Sequence, residues 1–215
     1  MTDVRPLVFI HVPKTAGTAL VSELAHVFPN ALNFDAFRIA EFADDIRAGR
    51  YDFLTGHYSY TEFVRHCGAD YRFMTFLRDP VERVISDYFY STSSANPGAA
   101  NIKAHHPTLL DYANYPDFRN RMSRQLARWD GEPVAHIVRR LAGFQLVGRS
   151  ENMERDFARL MTKLGAERPT AGRYNEGSNR PATIPAATRR AILALNTEDA
   201  RLCEALGRDA LVQAA

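Results

Sequence analysis

Two cysteines, three lysines and no long apolar run are what this 215-residue chain is short of. Cys67 and Cys203 lie far apart and have no partner spacing, which excludes a disulfide framework or a cysteine metal cluster and leaves two reduced packing residues. No stretch approaches the roughly 18–20 consecutive apolar residues of a membrane span. The start, "MTDVRPLVFIHV", shows no basic segment followed by an apolar stretch and a small-residue cleavage site, so the expectation is a soluble, unexported, cytoplasmic protein. An excess of one charge is missing too. The formal net charge is +2, with basic residues scattered along the chain, which argues against a polyanion-wrapping protein and against a nucleic-acid partner.

The scarcity of lysine gives the basic residues their character. Lys14, Lys103 and Lys163 are the three lysines, so 24 of the 27 basic side chains are arginine, the residue suited to two-pronged recognition of phosphate, sulfate or carboxylate. A genome-wide compositional bias would produce the same excess. With 46% hydrophobic residues the chain can bury a sizeable core, and one domain over residues 1–215 is the expectation.

Strand-like and helix-like segments alternate. "LVFIHV" reads as a buried strand and precedes a helix with Leu20, Leu24, Val27 and Phe28 on one face. "AFRIAEFADDIRAG" reads as a helix ending at Gly49, and "YDFLTG" and "YRFMTFL" as further strands. "DPVERVISDYFY" follows as a helix with Val81, Val84, Ile85 and Tyr88 on its apolar side and Glu82, Arg83 and Ser86 on its polar side. Residues 92–106 are small, polar and aperiodic, which predicts a loop and a candidate lid. "PDFRNRMSRQLARW" and "PVAHIVRRLAG" read as helices, "FQLVG" as a strand, and "NMERDFARLMTKLG" as the helix after it. "AERPTAGRYNEGSNRPATIP" is a loop before two terminal helices from about Ala186 to Gly207. This alternation predicts an α/β protein whose mainly parallel sheet is flanked by helices and binds ligands beyond the carboxyl ends of its strands.

The stretch "FIHVPKTAGTAL" occupies such a strand-to-helix junction. Unpaired backbone N–H groups and the positive end of a helix dipole bind phosphate there. Gly17 admits a close backbone, Thr15 and Thr18 offer hydroxyls, and Lys14 adds a full charge; the alternative is a solvated lysine in a turn. The G-x-x-x-x-G-K-[ST] spacing is absent. In "TFLRDPVERVISDYFY", Arg78 and Ser86 could converge on a second anion, or Arg78 could pair with Asp79 or Glu82.

Taken together, these two segments resemble the 5′-phosphosulfate loop and the 3′-phosphate motif of sulfotransferases that use 3′-phosphoadenosine 5′-phosphosulfate (PAPS). The Pro-Lys-Thr-x-Gly-Thr and Arg-Asp-Pro-x-x-Arg forms are similar to the branch containing heparan sulfate and uronyl 2-O-sulfotransferases and their bacterial relatives. Weaker similarity extends to "NRMSRQLA", "LVGRSENMERDF" and "RYNEGSNRP". The resemblance implies a P-loop-like three-layer fold, PAPS as cosubstrate, and desulfated 3′-phosphoadenosine 5′-phosphate (PAP) as product. It implies that Lys14, Thr15, Ala16, Gly17, Thr18 and Ala19 cradle the 5′-phosphate, with Lys14 stabilising the leaving group. Arg78 and Ser86 would hold the 3′-phosphate, and Arg180, in a closing loop, would add a contact.

The acceptor hydroxyl needs a base, and His57 in "LTGHYSY" follows a strand at its carboxyl end, where the resembling enzymes place theirs; a structural histidine is the alternative. His11 reads as a packing residue, and the adjacent His105 and His106 lack further ligands for a metal, so none is expected. Arg121, Arg124 and Gln125 fall close together on one helix, where the arginines could bind an acidic sugar or form a solvated face. The expected partner is a hydroxyl-bearing acceptor, a sugar or glycan. The rival readings are a nucleotide-dependent phosphotransferase and a non-catalytic module that binds nucleotide or anionic glycan.

Overall fold

The four residues Leu7–Ile10, all fully buried, form strand β1 at the middle of the sheet. In the computed structural model, residues 6–15, 17–34, 39–67, 71–166, 181, 183–207 and 211–212 are described. Around β1 lie β2 (Ala31–Phe34), β3 (Phe53–Gly56), β4 (Arg72–Leu77), β5 (Leu146–Arg149) and β6 (Leu211–Val212), in the order β2-β3-β1-β4-β5-β6. All neighbours are parallel except β6, which runs antiparallel to β5. Parallel pairing needs a crossover between strands and buries both faces, which is why every residue of β1 and β3 is buried without alternation.

The two faces fill separate cores. Leu7, Phe9, Phe53, Met74 and Phe76 point to one side, where they meet Leu20 and Leu24 of α1 (Gly17–Val27) and Phe157 and Leu160 of α9 (Met153–Leu164). Val8, Ile10, Leu54, Phe73 and Leu77 point the other way. They meet α2 (Ala43–Arg47), α3 (Tyr60–Cys67), α7 (Arg121–Leu126), α8 (Val134–Leu141) and α11 (Thr197–Ala205). Each such large side chain removed from water contributes about 1.5–3 kcal/mol, so the period-two split of the strands sets the three-layer arrangement. A third cluster joins α4 (Pro80–Ser91), α6 (Leu109–Asn114) and α10 (Ala186–Leu195) through Val84, Ile85, Tyr112 and Ile192.

Three expectations are corrected. The aperiodic stretch 92–106 contains a helix, α5 (Ala99–His105), which has no fully buried residue and touches the core only through half-buried Ile102, so no apolar period marks it. "PDFRNRMSRQLARW" is not one helix: Pro116–Phe118 is a 3-10 turn, Asn120 takes a left-handed φ of 47°, and α7 starts only at Arg121. Arg83, expected on the polar side of α4, is fully buried, donating to the Asp87 carboxylate at 3.2 Å and to the Phe118 carbonyl at 3.0 Å. Also missed were the short edge strands β2 and β6 and helix α3, although "SYTE" is a capping box in which Ser59 and Glu62 satisfy each other's backbone N–H groups.

Helices α7 and α11 are fastened at their starts. Asp199, fully buried, accepts from the backbone N–H groups of Met122 (3.2 Å) and Ser123 (2.8 Å) and from the Ser123 hydroxyl (2.7 Å). Asn120 in turn accepts on its side-chain oxygen from the N–H groups of Glu198 and Asp199. This exchange makes the left-handed Asn120 worth its strain. Asp199→Ala should therefore cost about 2–4 kcal/mol in urea-induced unfolding, the range for orphaning several buried donors, and a change below 1 kcal/mol would mean that α7 is held by packing alone.

Candidate active site

Parallel register brings the candidate residues to one edge. Ile10 stands opposite Gly56 of β3 and Thr75 of β4, so His11, His57 and, two residues past Thr75's neighbour Phe76, Arg78 emerge beyond the same carboxyl ends. The His11 N–H donates to the Gly56 carbonyl at 3.1 Å, continuing the ladder one residue further. Above it the His57 ring lies 2.9 Å, through Nδ1, from the carbonyl oxygen of His11. A carbonyl only accepts, so Nδ1 carries a proton, and when the ring carries only that one, Nε2 keeps the lone pair a proton acceptor requires. The exposed His57 ring is thus oriented by the backbone of the neighbouring strand.

The His11 ring stacks on Phe9 at a centroid distance of 5.3 Å and lies 4.3 Å from the His57 ring. Its outer edge fills the space where Gly17 lacks a side chain: a Cβ there would sit 2.0 Å from Cδ2 and Nε2. Gly17 is therefore required by the approach of the histidine ring to the first turn of α1. Burial, with the positive potential of His57 and of Lys14 added, drives the His11 ring down to about 3, so it is neutral at physiological pH.

Between His11 and α1 the chain turns through Pro13 and Lys14, and Lys14 adopts φ 69°, the left-handed region that non-glycine residues seldom occupy. Two hydrogen bonds hold this loop. The Thr15 hydroxyl, fully buried, donates to the Val12 carbonyl at 2.8 Å, and Arg78 donates through a terminal guanidinium nitrogen to the Lys14 carbonyl at 3.0 Å. The Thr15 hydroxyl proton is therefore turned inward, and a phosphate role for this residue falls to its backbone. The Lys14 ammonium rests 3.8 Å from the centre of the Tyr90 ring, a cation–π contact. Burial lowers the Lys14 pKa, and so does Arg78, while the Asp87 carboxylate counteracts both. Thr18 is exposed in the first turn of α1, and Ala19 occupies the same turn. Ala16 and Arg180 lie outside the described residues.

Arg78 does not need to be read through its acidic neighbours. Asp79 caps α4, accepting from the Glu82 N–H at 2.9 Å, and Glu82 pairs with Arg189 at 2.7 Å. Ser86 lies half-buried on α4. The next residue, Asp87, was not singled out from sequence. It is 4% exposed, accepts from Arg83, and faces Arg121 at 3.4 Å, so one buried carboxylate joins α4 to α7 within the field of Lys14. The i, i+4 spacing of Arg83 and Asp87 was the available signal.

A cleft of about 730 Å³ opens beside His57 and is lined by Arg121, Arg124 and Gln125 of α7. The helix thus delivers all three to one cavity, but two point part of their hydrogen-bonding capacity inward. Gln125 donates to the carbonyls of His11 (3.0 Å) and Tyr58 (3.1 Å), and Arg121 is drawn to Asp87. Arg124 reaches the Pro116 carbonyl at 3.2 Å. Gln125 and His57 share the same acceptor, so α7 also buttresses the ring.

A family model described as the sulfotransferase family matches residues 1–202. The chain belongs to that family. Among solved structures, this sulfotransferase is similar to a sulfotransferase from Alicyclobacillus acidocaldarius, at 15% identity and a TM-score of 0.48, over 92% of this chain and 94% of that one. It is also similar to mouse sulfotransferase SULT7A1 complexed with PAP, at 14% identity and a TM-score of 0.45, over 93% of this chain and 67% of that one. A search of curated proteins gave no match. The fold matches the expected P-loop-like arrangement: β1, the Lys14 loop and α1 stand at the centre of a mainly parallel sheet covered by helices on both faces. Among the described residues, no helix of the sulfotransferase is long and apolar enough to cross a membrane.

The neutral His11 makes the site sensitive to acid. Its folded pKa of about 3 lies below the ordinary 6.5, so between these values the unfolded chain binds the additional proton. That contribution to stability is complete above about pH 6.5 and falls as pH drops, by up to about 1.4 kcal/mol per pH unit for one group. His11→Phe, which preserves the stack on Phe9, should flatten the decline measured by urea unfolding between pH 7 and 5; equal slopes would show that other groups cause it. Gly17→Ala should force the His11 ring out of its place and lower the thermal midpoint of unfolding by several degrees; an unchanged midpoint would show that the ring has room to move.

Proposed function

We propose that this sulfotransferase uses one domain, residues 1–215, to move a sulfuryl group from PAPS to a hydroxyl of a carbohydrate or glycosylated acceptor. The observation that carries this reading is the His57 ring. Its Nδ1 is tied to the His11 carbonyl and its Nε2 is left as acceptor, at the strand edge shared with the Lys14 loop and the N-terminus of α1. The residues present suit a nucleotide with two phosphate groups. Backbone N–H groups of Thr15, Gly17, Thr18 and Ala19, with Lys14, would form one cationic donor set, and Arg78 with Ser86 a second; Ala16 and Arg180 enter through the family resemblance alone.

Each residue then has a defined task. Lys14 and the positive end of α1 stabilise charge that grows on the leaving phosphate oxygen, and Asp87 favours the charged form of the lysine. His57 Nε2 takes the acceptor proton while the acceptor oxygen–sulfur bond forms and the sulfur–phosphate oxygen bond breaks. The electron pair ends on the phosphate and the proton on the imidazole, whose Nδ1–H remains on the His11 carbonyl. No step calls for a metal.

Calorimetric titration with PAP, set against ATP and ADP with Mg2+, tests the nucleotide half. Selective PAP binding without metal, weakened about tenfold or more by Arg78→Ala, is the expected outcome for loss of a charge-assisted phosphate contact. Preference for ATP would instead mark a phosphotransferase. His57→Ala should lower turnover by about 10²–10⁴-fold with PAP affinity retained, and an unchanged rate would remove His57 from the mechanism.

A further inference from the structure

Beyond His57, the far side of the cleft is formed by the segment between α7 and α8, residues 127–133. This loop is pinned at several points. The Thr61 hydroxyl donates to the carbonyls of Ala127 (3.2 Å) and Arg128 (2.9 Å), and the Glu132 N–H donates to the Trp129 carbonyl at 3.2 Å. Glu132, 5% exposed, accepts from the Arg128 N–H at 2.7 Å and from both terminal nitrogens of Arg140 at 2.9 and 2.7 Å. Glycine at 131, with φ 75°, closes the turn.

What this anchored loop presents is Trp129, 53% exposed, lining the cleft and braced edge-on by the His136 ring at 6.2 Å. Indole is the costliest side chain to leave in water, and a rigid backbone that holds one at the wall of a polar cleft is suited to stack a flat apolar face with a polar rim. The face of a pyranose ring is such a surface.

The charge of the cleft selects among sugars. Three arginines line it against five carboxylates. Arg121 faces buried Asp87 and Arg124 bonds the Pro116 carbonyl, so these two are not set out as a pair for an acidic group. Glu132 and Glu62 are also engaged, by Arg140 and Ser59, but Asp117, Asp130 and Glu198 line the same cavity. Carboxylates accept from sugar hydroxyls and repel anions.

We propose that the acceptor is an uncharged glycan, its pyranose ring stacked on Trp129 and its hydroxyls donating to Asp117, Asp130 and Glu198, and that polyanionic glycans are excluded. This rests on the reading of His57 as the end of the acceptor cleft, and it replaces the expectation that Arg121 and Arg124 hold an acidic sugar.

Trp129 is the one tryptophan in the chain, so its fluorescence reports this site directly. Protein whose PAP binding has been measured in the same sample is titrated with neutral gluco-, galacto- and manno-oligosaccharides, with a hexuronate oligosaccharide and with heparin. The proposal expects a saturable emission change with at least one neutral sugar and a weaker one or none with the two polyanions. Asp130→Asn with Glu198→Gln should weaken that binding about fivefold or more, the loss of two hydrogen bonds. Trp129→Ala should raise the KM for the neutral sugar about tenfold, with kcat within about twofold, as for a lost stacking contact. A larger response to heparin or hexuronate, or no response to any neutral sugar, overturns it. Failure to bind PAP would count against the nucleotide reading alone, since the emission titration still decides what the cleft accepts.

Discussion

A single backbone carbonyl, that of His11, organises the site. It receives the His57 ring from β3 and the Gln125 amide from α7, while the N–H of the same residue extends the ladder to Gly56. One acceptor thereby fixes the tautomer of the candidate base and the distance between the sheet edge and the helix that walls the cleft. Without parallel pairing of β1 and β3 in this register, no other feature of the site would be in place.

A second layer of order comes from buried charge. Arg83, Asp87 and Arg121 join α4 to α7, and Arg140 with Glu132 holds the loop after α7. Such pairs recover little net stability after desolvation, but a broken one leaves an unpaired buried ion, so geometry is enforced more strictly than by apolar packing. Lys14 sits at the margin of this network, its charge opposed by burial and supported by Asp87, with the Tyr90 ring as its resting place. A cation held in this way needs no reorganisation of water to meet an anion.

Much of the plan was legible in local pattern. The strands at Leu7, Phe53, Arg72 and Leu146 announced themselves as apolar runs closed by polar residues, and the Pro-Lys-Thr-x-Gly-Thr segment marked the junction between the first strand and the first helix. Gly17 was singled out to let the backbone approach an anion closely, whereas the group the structure packs against it is the His11 ring. Elements without an apolar period were not legible: α5 meets the core only through half-buried Ile102, and β2 is an edge strand of four residues. The break before α7 escaped as well, since Asn120 adopts its left-handed turn to exchange hydrogen bonds with residues more than seventy positions away.

The sequence by itself determined which residues could carry charge, protons and phosphate contacts, because residue type and short spacing set those capacities. Tertiary structure decided which capacities remain available. It turned the Thr15 hydroxyl inward, committed Arg121 to Asp87 and Gln125 to two carbonyls, and left Trp129 exposed on a braced loop. The physical reason is that a buried polar group must find a partner wherever the fold offers one, and those partners come from segments that are distant in sequence.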